Sequence, residues 1–182
     1  MTTIAAPAGF STTAAALRRL YFARFAFALA WAAVTFAVAD DLSPLVVALF
    51  VLYPLVDAAA AVVGLRASRG ALLRVNLAVS LLAAAGLGVA GTSGIPAVLR
   101  VWGAWAVVAG LVQLIVGVRR RALGGQWPMI ISGGLSVLAG ASFAAAASAE
   151  DPALGSAIAY AIPGAIFFLV AAIRLGRAAK RP

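Results

Sequence analysis

One carboxylate and one guanidinium stand where the chain is otherwise apolar. Asp57 lies in LYPLVDAAAAVVG, residues 52–64, and Arg24 in YFARFAFALAW, residues 21–31. In apolar surroundings such groups form an ion pair, hold an ion, or take up a proton. Asn76 and Gln113 are the amides that can join them, with Ser132 and Ser136 nearby. Much other chemistry is closed. The chain has no cysteine and no histidine, which removes thiolate nucleophiles, imidazole acid–base work and His- or Cys-ligated metals. Paired carboxylates are absent, as is a glycine-rich phosphate loop ending in Lys-Ser or Lys-Thr. No catalytic, cofactor-binding or metal-binding residue is therefore expected, and the protein reads as a non-enzyme.

The elements that must position these groups are set by composition. Of 182 residues, 65% are hydrophobic and 10% charged, against about 25% charged in a soluble domain. A chain of 18.3 kDa cannot hide so much apolar surface within itself, so the bilayer is the expected solvent. A spanning helix takes about 20 apolar residues. Six such stretches can be marked, near 20–39, 44–65, 72–91, 95–118, 127–148 and 153–173, with short polar breaks between them. The fold class is an all-α membrane protein with six transmembrane helices. Short loops make consecutive helices antiparallel neighbours.

Charge gives the orientation. Every basic residue except Arg100 falls at the N-terminal edge, in the second or fourth loop, or in the C-terminal tail; Asp40, Asp41, Glu150 and Asp151 fall on the other side. The positive side is cytoplasmic, so both termini are expected inside a bacterial plasma membrane, with anionic lipid headgroups as partners of the basic loops. The net charge of +9 belongs to these loops and not to a nucleic-acid-reading face; nucleic acid is not an expected partner. A homo-oligomer is compatible with the chain. Arg18-Arg19, an apolar run and Ala37-Val38-Ala39 resemble a cleavable signal peptide. Arg24 interrupts that run and 17 residues precede the basic pair, so helix 1 is read as retained. Residues 1–17 are expected to be a poorly ordered tail, 18–177 the membrane domain, and 178–182 a basic cytoplasmic tail.

The even-numbered helices share landmarks. Pro44 to Arg66, Pro96 to Arg119 and Pro152 to Arg174 are 22, 23 and 22 residues apart, closing on GLR, GVR and AIR. Regular self-similarity of this kind marks internal repeats, here three helical hairpins at about 18–66, 67–119 and 120–174. VWGAWAVVAGLVQLIVGVRRR at 101–121, followed by GGQWPMIISGGLSVLAG at 124–140, resembles the HdeD-like membrane proteins. The resemblance implies six spans built from short repeats and a stress-related, acid-resistance role; it implies no catalytic residues.

Small residues suggest how the helices pack. In lipid, close approach replaces hydrophobic burial as the source of helix association. Ser132, Ser136, Gly140, Ala144 and Ser148 recur every four residues on helix 5, and Gly103, Gly110 and Gly117 every seven on helix 4. Helices 4 and 5 are expected to be the tightest pair. The alternative, that these glycines line a path, lacks ligand chemistry beyond the backbone. ALGGQW at 122–127 reads as a tight turn, and Pro54 and Pro163 as mid-helix kinks.

Depth selects the partner of Asp57. It lies nine residues before Arg66, roughly 13 Å from that boundary, where an ionised carboxylate costs about 3 kcal/mol on insertion scales. Arg24, about 6 Å deep on the neighbouring helix, is the cation within reach. Arg74 can snorkel to the interface, and Arg100 lies near the other face. Two readings follow: a buried pair that fixes helix 1 on helix 2, or an ion or proton site. A relay needs a chain of titratable groups, and only one acid is present in the spans. The leading function is thus a non-enzymatic multipass protein, with a stress or acid-resistance role by resemblance. The alternative is a small transporter or channel with a polar site around Asp57.

Overall fold

The structure, a computed structural model, describes residues 8–67 and 70–178. Among the described residues seven α-helices follow one another: α1 Ala8–Val38, α2 Pro44–Ala67, α3 Ala71–Ala90, α4 Ile95–Arg119, α5 Trp127–Ala146, α6 Gly155–Ala159 and α7 Ala161–Ala178. Among the described residues there is no strand. Six segments are long and apolar enough to cross a membrane: Thr13–Val38, Pro44–Arg66, Ala71–Ser93, Ile95–Arg119, Trp127–Ala146 and Gly155–Ala178. The helix is the form that satisfies each backbone group without water. Proline opens α2 and stands in the first turn of α4 and α5, where the missing N–H has no intrahelical acceptor to lose.

The N-terminal expectation is corrected in part. The chain is helical from Ala8, so a poorly ordered tail does not extend to residue 17; residues 1–7 lie outside the described residues. The AAAL run at 14–17 favours helix, and Ala14 and Leu17 are buried against Ala171, Ala172 and Leu175 of α7. At the other end α7 runs through Ala178. The basic tail at 179–182, with Lys180 and Arg181, lies outside the described residues, as does Arg69.

The six spans form a closed ring. Each packs on its neighbours in sequence, and α7 closes onto α1. Packing alternates in extent. The pairs α2–α3, α4–α5 and α1–α7 are extensive, with α4–α5 the most so, while α1–α2, α3–α4 and α5–α7 touch more lightly. The tight pairs therefore straddle the covalent hairpins at 18–66, 67–119 and 120–174, offset from them by one helix.

The closing tripeptides show why. A Cβ on Gly64 would sit 3.4 Å from Leu73, and one on Gly117 3.0 Å from Ile130. The third equivalent, Ala172, is fully buried. Each small residue admits the following helix at the basic end, and for the third copy that helix is α1. The turn between α4 and α5 completes this end. Gly124 and Gly125 have φ of 71° and 66°, a region open to glycine. A Cβ on Gly125 would also lie 2.6 Å from the Leu175 nitrogen.

The acidic half of the ring is filled by aromatics. Trp102 is stacked on Trp31 at 5.6 Å and meets Phe50, Tyr53 and Trp105 at 4.9, 5.4 and 5.1 Å between ring centroids. Offset and edge contacts of this kind hold better than face-to-face ones. Trp31 Nε1 donates to the Leu49 carbonyl at 2.6 Å. Trp102 Nε1 is buried with no hydrogen-bond partner among the described residues.

Candidate functional site

The α4–α5 seam shows where the small residues are used. A Cβ on Gly103 would lie 2.5 Å from the Gly140 carbonyl oxygen and 3.1 Å from the Ala144 nitrogen, and one on Gly140 2.5 Å from the Gly103 oxygen. Gly110 and Gly133 oppose each other in the same way, with Ser136 beside Gly110 and Ile130 against Gly117. Ser132 departs from the seam and faces two cavities. A step of four residues drifts about 40° around a helix of 3.6 residues per turn, while a heptad drifts only about 20°. The spacing of seven therefore stays on one neighbour and the spacing of four turns away.

Asp57 is bound from two helices. Arg24 of α1 pairs with Oδ1. Asn76 Nδ2 and Ser80 Oγ of α3 donate to Oδ2 at 2.7 and 2.9 Å. Asn76 and Ser80 share a face because they are four residues apart. Trp105 Nε1 of α4 donates to Ser80 Oγ at 3.1 Å, and the Arg24 guanidinium lies 4.2 Å from the Phe168 ring centroid on α7. The Asp57 side chain is 6% exposed and that of Arg24 21%. All three contacts to the carboxylate are donors, which suits an acceptor-only group. The cluster fixes α1 on α2 and α3, with both oxygens of the acid engaged.

Gln113 does not join this cluster. Its Nε2 donates to the Met129 carbonyl at 3.2 Å, because α3 stands between α2 and α4 in the ring. It lines the same cavity as Asp57 and Asn76. Tyr21 donates to Gln126 at 3.3 Å, tying α1 to the α4–α5 turn.

Ser80, Trp105 and Tyr160 are the site residues that sequence reasoning missed, and a signal for them existed. Arg24, Ser80 and Ser136 recur every 56 residues on α1, α3 and α5. Trp105 and Tyr160 stand 55 apart. Trp105 donates to Ser80, and Tyr160 to Ser136 in the same way. The second and third hairpins thus carry one shared contact, an aromatic donor on a serine. In the first, the pair Arg24–Asp57 stands at that level. The residues nine before the closing arginines are Asp57, Gly110 and Ala165, so the charge occupies one copy and small residues the other two.

Above this layer the ring encloses a cavity of about 120 Å³, room for several waters by the volume open to a water-sized sphere. Its floor is Tyr53, Asp57, Trp105 and Tyr160, and its wall is rich in alanine and glycine from α2 and α4. Tyr21, Arg120 and Gln126 stand at the basic end. The aromatic cluster closes the opposite side. The arrangement offers a one-sided polar pocket ending on a compensated charge pair, with no nucleophile–base couple. No family model matches this chain, and no curated protein or solved structure matches it either.

Proposed function

We propose that the protein is a non-enzymatic multipass protein of a bacterial inner membrane, with both termini in the cytoplasm, and that its central cavity binds a small molecule from the cytoplasmic side as part of transport or sensing. The cavity that runs from the basic end to Arg24–Asp57 carries this reading. The basic loops support the orientation by the positive-inside rule. A proton relay is the weaker use of the site, since the spans hold one carboxylate, no histidine, and three donors on that carboxylate. The resemblance of 101–140 to HdeD-like proteins supports placing this binding in an acid-stress role.

The chain has no cysteine, so a single introduced thiol reports access. Ala109 lines the cavity wall. Ala109→Cys is expected to react with a membrane-impermeant maleimide in inverted vesicles and to stay unmodified in intact spheroplasts. Modification from the periplasmic side alone, or from neither side, would overturn the proposal.

A further inference from the structure

The central cavity is lined by polar atoms that the rest of the chain leaves unused. Tyr53 and Ser132 line it and are 8% and 7% exposed. Neither hydroxyl makes a hydrogen bond among the described residues, whereas those of Tyr21, Ser136 and Tyr160 all do. Two amide oxygens are in the same position. Asn76 and Gln113 each donate through nitrogen, and their oxygens, Oδ1 and Oε1, accept nothing from the described residues. A buried polar atom without a partner is rare, and the fully enclosed instance among the described residues is Trp102 Nε1. The four atoms are therefore within reach of a water-sized sphere, and the central cavity is the space their residues share.

Three of the four lie at one level. Asn76, Gln113 and Ser132 are five, six and five residues from the basic ends of α3, α4 and α5, about 8–9 Å inside. Tyr53 stands at the floor, where α2 carries the following Pro54 without a break. Tyr160 shares that floor between α6 and α7, three residues before Pro163. The expected kink there is a break in the helix, and the Tyr160 hydroxyl is engaged by Ser136. The wall beside these groups is alanine from α2 and α4.

Charge and donor count select the ligand. Arg24 and Asp57 satisfy one another, and Arg120 has an interaction of its own. No charge of the wall is left to balance one on a ligand, and an ion without a counter-charge is strongly disfavoured at this depth. The four open atoms are neutral. They offer four acceptors and two donors, since a hydroxyl does both and an amide oxygen only accepts. Their complement is a neutral molecule rich in O–H donors, on a carbon skeleton that suits the alanine wall. The 120 Å³ of the cavity suits a skeleton of about three to five carbons, by the room a water takes.

We propose that the central cavity binds a small uncharged polyol, with the Tyr53 and Ser132 hydroxyls and the Asn76 and Gln113 amide oxygens as its contacts. This rests on the reading of the cavity as a ligand site open to the cytoplasm. The ion pair is then part of the frame: Asp57 holds Asn76 by its Nδ2 and leaves Oδ1 for the ligand.

The test uses the full chain carrying Ala109→Cys in inverted vesicles, with the rate of the maleimide reaction as readout and glycerol, erythritol and xylitol as probes. A polyol of this series is expected to slow the reaction saturably. Its sugar-acid and aminodeoxy derivatives, which add one negative or one positive charge, are expected to protect at least about tenfold less well, as is the diol that lacks the inner hydroxyls. Tyr53→Phe and Ser132→Ala, each removing one hydroxyl, are expected to raise the half-protecting concentration about three- to tenfold. The rate without polyol reports whether each variant keeps the ring, and the two lie on different helices, so either carries the test. Equal protection by a charged derivative would overturn the uncharged ligand, and equal protection by the diol would overturn recognition of hydroxyls. Protection unchanged in both variants would overturn the assigned contacts. If Ala109→Cys reacts and no polyol slows it, the cavity stands and the polyol site falls; if it reacts from neither side, both fall.

Discussion

Removing either member of the Arg24–Asp57 pair should destabilise the ring, and removing both should cost much less than the sum of the two. Asp57→Leu takes the acceptor from Arg24, Asn76 and Ser80. An unmet buried donor costs about 1–3 kcal/mol. Ser80 keeps the Trp105 N–H on its oxygen and can redirect its own proton. The Arg24 side chain is 21% exposed, so water in the cavity screens part of its charge. The remaining loss is about 3 kcal/mol, the lower end for a buried pair broken from one side. Arg24→Leu leaves the carboxylate with two neutral donors and should cost about the same. The double variant leaves the Asn76 donor unmet and loses the Ser80 contact to the carboxylate, about 2–3 kcal/mol. The cycle therefore gives a coupling near 3 kcal/mol, at the top of the range for contacting residues. Reversible unfolding in mixed detergent micelles, with the four proteins measured side by side, reads it. A coupling below about 0.6 kcal/mol, the average of a neutral interhelical hydrogen bond in a membrane, would refute the view that this pair binds α1 to α2.

Two further substitutions separate packing from polar effects. Gly140→Ala places a methyl 2.5 Å from the Gly103 carbonyl oxygen, so α4 and α5 must part, at about 1–3 kcal/mol. Gly134→Ala meets nothing within 4 Å and should be neutral or stabilising by up to about 1 kcal/mol; the thermal midpoints of the two variants should therefore move apart. Trp31→Phe loses the hydrogen bond to Leu49, whereas Trp102→Phe removes an N–H that has no partner among the described residues. Trp31→Phe is expected to be the more destabilising by about 1 kcal/mol, and equal losses in detergent unfolding would count against that assignment.

Depth was legible in the sequence. The six spans, their short loops, the one-sided distribution of every arginine but Arg100 and the matching heights of Arg24 and Asp57 all follow from counting residues at a fixed rise. The glycine heptads of α4 pointed to α5 because a repeat of seven holds one azimuth. What the sequence left open was direction around each helix. Gln113 has a depth suited to Asp57 and still bonds Met129, since the ring places α3 between their helices. The closure of α7 onto α1, the offset of the tight pairs from the covalent hairpins, and the break of the last span at Tyr160 also belong to the tertiary structure. The physical reason is the solvent. In water an apolar stripe marks the buried face of a helix, but a helix in lipid is apolar on every side. Its sequence states how deep a residue lies and is nearly silent on which way it points.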